Sequence, residues 1–148
     1  MSHTSLLFHC IFATKNRRPF ISEDIQPRLW SYMGGIARIN GMKALAVGGT
    51  RDHAHVLISL PPKMPIAKAM QLIKAGSSKW MHDKIRHGLF EWQEKYGAFS
   101  VGISQLDATK RYIQNQKKHH EKRSFDSEWK AILKRHGLRD EDQPSLRD

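Results

Sequence analysis

Two histidines separated by one residue open an apolar segment, and this spacing could hold a metal ion. His53 and His55 flank Ala54 at the start of residues 53–60. Side chains alternate along a β-strand, so both imidazoles would project from one face while Ala54 and Val56 face the core. Imidazole nitrogens are common metal ligands. The pair could therefore bind one cation, or it could simply line a polar face of a sheet.

A second candidate pair, Tyr112 and Gln116, lies four residues apart in a basic segment that we predict to be helical. Residues with this spacing share one face of a helix, one turn apart. A phenol can act as a nucleophile and form a covalent intermediate, and an amide oxygen is a hard ligand for a divalent cation. The alternatives are a tyrosine at a core edge and an exposed glutamine. His119 and His120 could be alternative ligands or part of a polar surface.

The two pairs together describe one reaction. Two histidines and a glutamine would bind a cation that polarises a phosphodiester, and Tyr112 would attack it. Residues 47–50 contain two glycines but no following Lys-Ser/Thr pair, so they do not form a phosphate-binding loop. We find no zinc-finger or helix-turn-helix signature. A protein that binds single-stranded nucleic acid is therefore a better interpretation than one that binds duplex DNA.

The elements that would position these residues alternate between strand and helix periodicity. Residues 6–14 predict a central strand, and residues 42–50 and 53–60 predict a hairpin. A helix capped by Ser22 becomes regular near residues 25–26 and ends at Gly41, and a second long helix covers residues 66–85. Residues 99–103 predict a fourth strand.

Two more helices follow this core. One begins at Asp107, and the other is capped by Ser124 and ended by Gly137. The order predicts an α+β fold with a ferredoxin-like or RRM-like β-α-β-β-α-β core, whose antiparallel sheet is covered on one face. We expect one domain over residues 1–138 and a loose acidic tail over residues 139–148.

The charge of the chain favours a polyanionic partner. The 148 residues include 25 Lys and Arg against 14 Asp and Glu, a formal net charge of +11 at pH 7. Basic residues near phosphates release condensed counterions, which favours nucleic acid binding. Solvated helix faces are the alternative. The candidates for binding the DNA backbone are Lys15, Arg17, Arg18, Lys63, Lys74, Lys79, Lys110, Arg111 and Lys117.

Other features of the sequence bear on the stacking of aromatic side chains on bases and on the cellular compartment of the protein. Trp80, Trp92 and Phe99 could stack on unpaired bases, although core packing is the alternative for each. A single cysteine, Cys10, excludes an internal disulfide framework. The longest apolar run, residues 6–13, is too short to span a bilayer. We therefore expect a cytoplasmic protein without membrane association.

Across residues 5–138 the chain resembles the HUH single-tyrosine transposases of bacterial insertion sequences. Residues 52–63 carry the histidine–hydrophobic–histidine signature, and residues 112–120 are similar to the family's catalytic helix. Residues 12–19, 74–78 and 96–100 also match family segments. Ala54 is smaller than the residue usual at the centre of the signature, but its side chain should face away from the metal.

The resemblance implies roles for the residues named above. His53, His55 and Gln116 would bind Mg²⁺ or Mn²⁺, and Tyr112 would be the nucleophile. The family cleaves and rejoins single-stranded DNA, usually at hairpins near the ends of the element, through a 5′-phosphotyrosine and a free 3′-hydroxyl. Members are homodimers that need no nucleotide cofactor, and the tyrosine often serves the metal site of the other subunit.

Two alternatives remain at this stage. The chain could be a domesticated relative that processes genomic repeat hairpins without mobilising itself. It could also be a non-catalytic module that binds single-stranded nucleic acid. RRM-like sheets normally carry aromatics where bases stack, and the histidines at this position count against a simple binding module.

Overall fold

The computed structural model describes residues 2–120 and 124–139, except for the side chains of Lys117 and His119. In chain order the elements are β1 (Leu7–Ala13), α1 (Gln26–Ile39), β2 (Lys43–Gly49), β3 (His53–Ser59), α2 (Ile66–Asp83), β4 (Gly97–Ser100), α3 (Leu106–Gln114), α4 (Gln116–His120) and α5 (Phe125–Arg135). The four strands form one antiparallel sheet in the order β2-β3-β1-β4. This is the predicted ferredoxin-like core followed by C-terminal helices. The predicted tail lies mostly outside the described residues.

The main core lies between the sheet and helices α1 and α2. Phe12 of β1 and Ala54, Val56 and Ile58 of β3 are fully buried there, together with apolar residues of both helices. The prediction that the Ala54 side of β3 faces the core is therefore confirmed. The alternation of β3 consequently sends His53 and His55 to the opposite face of the sheet.

The opposite face is also covered, whereas the sequence predicted cover on one face only. Ile11 and Phe99 pack there against Trp129 and Ile132 of α5, and Leu57 packs against Ile113 of α3 in a separate cluster. The C-terminal helices fold back over the sheet because their apolar stripes need a surface to bury. The two histidines are therefore enclosed in a second layer of the protein.

The helix predicted to carry both Tyr112 and Gln116 is broken. Helix α3 ends at Gln114, Asn115 departs from helical geometry with φ −106° and ψ 23°, and α4 begins at Gln116. Gln116 nevertheless remains close to Tyr112, because its Nε2 lies 3.4 Å from the Tyr112 carbonyl oxygen.

Two boundary predictions were wrong and two were confirmed. Ser22 does not cap α1, because its hydroxyl donates to the Asp24 carboxylate at 2.7 Å. Strand β4 ends at Ser100, since residues 103–105 form a 3-10 turn. Ser124 does cap α5, accepting from the Ser127 amide at 3.2 Å, and Gly137 follows with a positive φ of 70°. Among the described residues no helix is long and apolar enough to cross a membrane.

Candidate metal centre and nucleophile

Strand β3 places both predicted histidine ligands in the enclosed layer under the C-terminal helices. The side chains of His53 and His55 are fully buried. His53 Nε2 lies 3.1 Å from Gln116 Oε1, at the start of α4. Two of the three predicted ligands therefore lie directly against each other, although 63 residues separate them in the chain.

The third predicted ligand, His55, presents a nitrogen that lacks a hydrogen bond. Its Nε2 is buried and makes no hydrogen bond to any described residue. The same atom lies 3.3 Å from Glu128 Oε1, a separation without the alignment that a hydrogen bond needs. Buried polar atoms are nearly always partnered, so an orphaned imidazole nitrogen fits a ligand position.

Glu128 is a site residue that sequence reasoning missed. It lies on α5, is 1% exposed, and directs its carboxylate into the histidine cluster. Its Oε1 is 3.2 Å from His120 Nε2 and 3.6 Å from His53 Nε2. The donor atoms of His53, His120 and Glu128 all lie within 4.8 Å of one another. His55 meets the same carboxylate oxygen but is not part of that compact trio.

Tyr112 reaches this cluster within a single chain. Its hydroxyl donates to Glu128 Oε2, and Gln116 Nε2 donates to the same oxygen at 3.1 Å. The Tyr112 ring is edge-on to His55, with 5.8 Å between the ring centroids. The candidate nucleophile and the candidate ligands therefore share one carboxylate.

A second layer of polar groups orients the two imidazoles. His53 Nδ1 donates to Asp52 Oδ1 at 2.9 Å. A hydrogen bond of 2.7 Å joins His55 Nδ1 to His9 Nε2, contributed by β1. Because the Nδ1 atoms are engaged, the Nε2 atoms of both rings are left facing the cluster. His9 was not predicted as a site residue.

Arg17 connects this second layer to α5. Its guanidinium is ion-paired with Asp52 and with Asp126, each at 3.2 Å. It also lies over the Phe125 ring, 4.6 Å from the centroid. A cavity of about 440 Å³ opens at this point, and its walls include Arg17, Arg51, Asp52, His120 and Phe125. The cavity reaches the cluster through His120.

The protonation states suit metal binding. Burial lowers the pKa of His55 to about 4. Burial and the neighbouring His55 together lower the pKa of His9 well below its usual value. Burial opposes ionisation of Glu128, but the hydrogen bond from His120 and the adjacent His55 imidazole outweigh it and hold the pKa of this carboxyl well below its usual range. Near neutral pH the cluster therefore combines neutral His55 with an ionised carboxylate, as ligands must be.

The predicted DNA-binding residues occupy different surroundings. Arg18, Lys63 and Arg111 are exposed, and Lys110 is half-buried. The remaining lysines with described side chains have protein partners: Lys15 pairs with Glu91, Lys79 with Asp83, and Lys74 with backbone carbonyls of residues 93–95. Burial lowers the pKa of Lys74 to about 8. The side chain of Lys117 lies outside the described part of the chain.

The aromatic residues considered for base stacking are mostly internal. Trp92 and Phe99 are 7% and 5% exposed and belong to the two main core clusters. Trp80 is half-buried and stacks on Tyr32, with 5.2 Å between the ring centroids. Core packing, the alternative for these residues, therefore describes Trp92 and Phe99.

Two curated sequences are similar to this chain. The transposases for insertion sequence element IS200 from Salmonella typhimurium strain LT2 and from Salmonella typhi are each 24% identical to it over 97 residues. The match covers 64% of this chain and 64% of each relative. The chain thus spans just under two thirds of the length of these relatives.

Solved structures show the same fold. A crystal structure of a Deinococcus radiodurans R1 protein assigned as a transposase superposes with a TM-score of 0.65 and 25% identity, covering 78% of this chain and 93% of that one. A REP-associated tyrosine transposase bound to a REP hairpin superposes with a TM-score of 0.59 and 16% identity, covering 100% of this chain and 94% of that one. A sequence model described as "Transposase IS200 like" matches residues 2–116, which include β3 with its two histidines, Tyr112 and Gln116. The chain belongs to the family of IS200-like transposases.

Proposed function

We propose that this chain cleaves and rejoins single-stranded DNA, with Tyr112 as the nucleophile. One observation carries the proposal. The Tyr112 hydroxyl donates to one oxygen of Glu128, and the other oxygen of that carboxylate lies 3.3 Å from His55 Nε2. A phenol is thereby held beside buried imidazoles in one chain, which is the arrangement that metal-assisted attack on a phosphodiester requires.

The proposed step is a transesterification. The Tyr112 oxygen forms a bond to phosphorus, the bond between phosphorus and the 3′-oxygen breaks, and the 3′-oxygen takes up a proton. The phenolic proton starts in the hydrogen bond to Glu128. The products are a 5′-phosphotyrosine and a free 3′-hydroxyl. Because the phosphodiester energy is kept in the new bond, attack by a 3′-hydroxyl reverses the step without ATP.

His53, His55 and Gln116 are the residues proposed to hold Mg²⁺ or Mn²⁺. The fit is supported by the buried His55 Nε2 that makes no hydrogen bond to a described residue and by the 3.1 Å approach of Gln116 Oε1 to His53 Nε2. A cation bound there would neutralise charge that develops on the phosphate.

The substrate proposed is single-stranded DNA that carries hairpins. The net charge of +11 favours a polyanion, and the cavity beside His120 has Arg17 and Arg51 in its walls. A protein of the same fold has been solved with a REP hairpin, which makes hairpins the first substrates to test. One chain already brings Tyr112 to the histidines, so this geometry does not require a second subunit. A homodimer stays a prediction from the family resemblance.

The test is the replacement of Tyr112 by phenylalanine. We expect Tyr112→Phe to bind hairpin DNA almost as well as the unaltered protein, because only one hydroxyl is lost. The covalent adduct should fall about a thousandfold or more, because no nucleophile remains. The measurement uses DNA from the regions flanking the gene, labelled at its 3′ end, with Mn²⁺, and scores label that stays with the protein in a denaturing gel.

Tyr32→Phe is the matched control, because Tyr32 lies on α1, on the other side of the sheet from the cluster, and should leave adduct formation unchanged. An adduct that persists in Tyr112→Phe would show that the nucleophile is assigned wrongly. Hairpin binding by the unaltered protein without cleavage in Mn²⁺ would support the non-catalytic binding module instead.

A further inference from the structure

We infer that His120 and Glu128 complete the metal site, and that the resulting five-donor set selects a nitrogen-preferring transition metal over Mg²⁺. This inference rests on the proposed function, because it assumes a cation at His53, His55 and Gln116. It adds two ligands from the C-terminal segment. Both lie beyond residues 2–116, the part of the chain that the family model matches.

Neighbouring donor atoms in the cluster approach one another as ligands of one ion do; those of His53, His120 and Glu128 all lie within 4.8 Å of one another, and His55 meets this group through the Glu128 carboxylate. His53 Nε2 is 3.1 Å from Gln116 Oε1 and 3.6 Å from Glu128 Oε1. Glu128 Oε1 is 3.3 Å from His55 Nε2 and 3.2 Å from His120 Nε2. Donors bonded to one cation at roughly 2.0–2.2 Å lie about 3.0 to 3.5 Å apart. Three of these four contacts have the length expected between neighbouring ligands, and the fourth, between His53 Nε2 and Glu128 Oε1, is slightly longer.

The surroundings of His53 argue for a cation in addition to the distances. Its Nδ1 is held by the Asp52 carboxylate, so Nε2 points into the cluster, where it faces two oxygens, Gln116 Oε1 and Glu128 Oε1. The orientation of the Gln116 amide is fixed, because its NH₂ group donates to Glu128 Oε2. An imidazole nitrogen and carboxylate and amide oxygens that converge in a buried site are the groups that a divalent cation binds.

The composition of the donor set determines which cation is favoured. Three imidazoles beside one carboxylate and one amide oxygen favour later first-row metals such as Co²⁺ and Zn²⁺, which bind a given site more tightly than Mn²⁺ does. Mg²⁺ prefers oxygen ligands and keeps several of its waters. His53, His55 and Glu128 are at most 1% exposed, so the site has little room for a hydrated ion. We therefore expect Co²⁺ and Mn²⁺ to bind more tightly than Mg²⁺.

The experiment measures cation binding to the full chain without DNA. Isothermal titration calorimetry with Co²⁺, Mn²⁺ and Mg²⁺ compares the unaltered protein with Glu128→Gln and His120→Ala. We expect each variant to bind Co²⁺ roughly tenfold or more weakly. Asp83→Asn is the control, because it removes an exposed carboxylate that pairs with Lys79 on α2, away from the cluster, and its Co²⁺ affinity should be unchanged.

Two results would overturn the inference. One is unchanged Co²⁺ affinity in both Glu128→Gln and His120→Ala. The other is binding of Mg²⁺ as tight as that of Co²⁺ by the unaltered protein. Circular dichroism during thermal unfolding separates loss of a ligand from loss of the fold. If Glu128→Gln is unfolded before titration, it is replaced by Glu128→Asp, which keeps the charge but retracts the oxygens.

The failure of this inference can be told from the failure of the proposed function. If His55→Ala loses Co²⁺ while Glu128→Gln keeps it, and the unaltered protein forms the Tyr112 adduct, then only the additional ligands are wrong. If His55→Ala binds Co²⁺ normally, the metal site of the proposed function is itself misplaced.

Discussion

The two imidazoles of β3 each have a partner that holds Nδ1. Asp52 holds Nδ1 of His53, and His9 holds Nδ1 of His55. Ligating histidines generally need such a partner, because it fixes the tautomer and the plane of the ring. His9 is unusual as a partner, since it is a second buried imidazole, 8% exposed and stacked on His55 with 5.0 Å between the centroids.

Replacing His9 by leucine tests this role. His9→Leu removes the acceptor for His55 Nδ1 and places an apolar side chain of similar bulk at this position of β1. We expect the affinity for Mn²⁺ to fall roughly tenfold or more, because the His55 ring is no longer held with Nε2 toward the cluster. Calorimetric titration of the DNA-free protein measures it.

His9→Gln is the conservative counterpart, because its amide oxygen can accept the same hydrogen bond. Recovery of Mn²⁺ affinity in His9→Gln would support a positioning role. Equal loss of affinity in the leucine and glutamine variants would argue that His9 matters only for packing.

Helices α3 and α5 approach the sheet closely because two of its residues lack side chains. A Cβ added to Gly48 of β2 would lie 2.4 Å from the carbonyl oxygen of Ile113, next to Tyr112. A Cβ added to Gly97 of β4 would lie 2.7 Å from the Trp129 ring, next to Glu128. The two glycines thus set the distance between the histidine face and the helices that carry the nucleophile and the carboxylate.

Gly48→Ala is predicted to disturb the nucleophile through its helix. The new methyl would meet backbone and not a flexible side chain, so α3 must shift. We expect the free energy of unfolding to fall by about 1–3 kcal/mol and the yield of covalent adduct to fall with the displacement of Tyr112. Urea unfolding and the adduct assay measure the two effects. Gly102→Ala is the control, because nothing lies within 4 Å of its added Cβ, and an equal effect there would contradict the explanation.

The strands and the first two helices could be predicted because their periodicity is regular. Apolar residues recur regularly along β1 and β3, which are buried almost throughout, and helical spacing over α1 and α2 buries one continuous face of each helix. The break at Asn115 was missed because a run of polar residues gives no periodic signal on which to place it. The cover on the second face of the sheet depends on how α3 and α5 fold back, which is a tertiary property that local spacing does not contain.

The same distinction applies to the site. His53, His55, Gln116 and Tyr112 were predicted from residue type and spacing, and the structure brings them together. Glu128 was missed because, in sequence, it resembles the acidic residue that commonly follows a helix cap. A signal did exist: Glu128 lies in the inward stripe that also contains Phe125, Trp129 and Ile132, and a carboxylate in an apolar stripe needs a buried partner.

The stability of the whole metal-free protein should depend on pH in one direction. His55 has a pKa of about 4 in the folded chain because it is buried, compared with its usual 6.5. Below pH 6.5 the unfolded chain binds a proton at His55 that the folded chain does not bind, so acid favours unfolding. Each such group lowers the free energy of unfolding by up to about 1.4 kcal/mol per pH unit. The lowered pKa of His9 acts in the same direction.

We therefore expect the urea midpoint in EDTA to be level between about pH 8, where Lys74 begins to titrate, and pH 6.5, and to fall between pH 6.5 and 4. Below that range the carboxyls of Asp52 and Glu128 add to the loss, because their pKa values are held low in the folded chain and protonation weakens their hydrogen bonds to His53 and His120. Urea unfolding followed by circular dichroism at half-unit pH steps measures the profile. His9→Leu removes one of the two buried imidazoles whose pKa is lowered, so its profile should fall less steeply. A midpoint that stays constant from pH 7 to 5 would show that the imidazoles are not buried in neutral form, and the ligand geometry inferred for His55 would then be wrong.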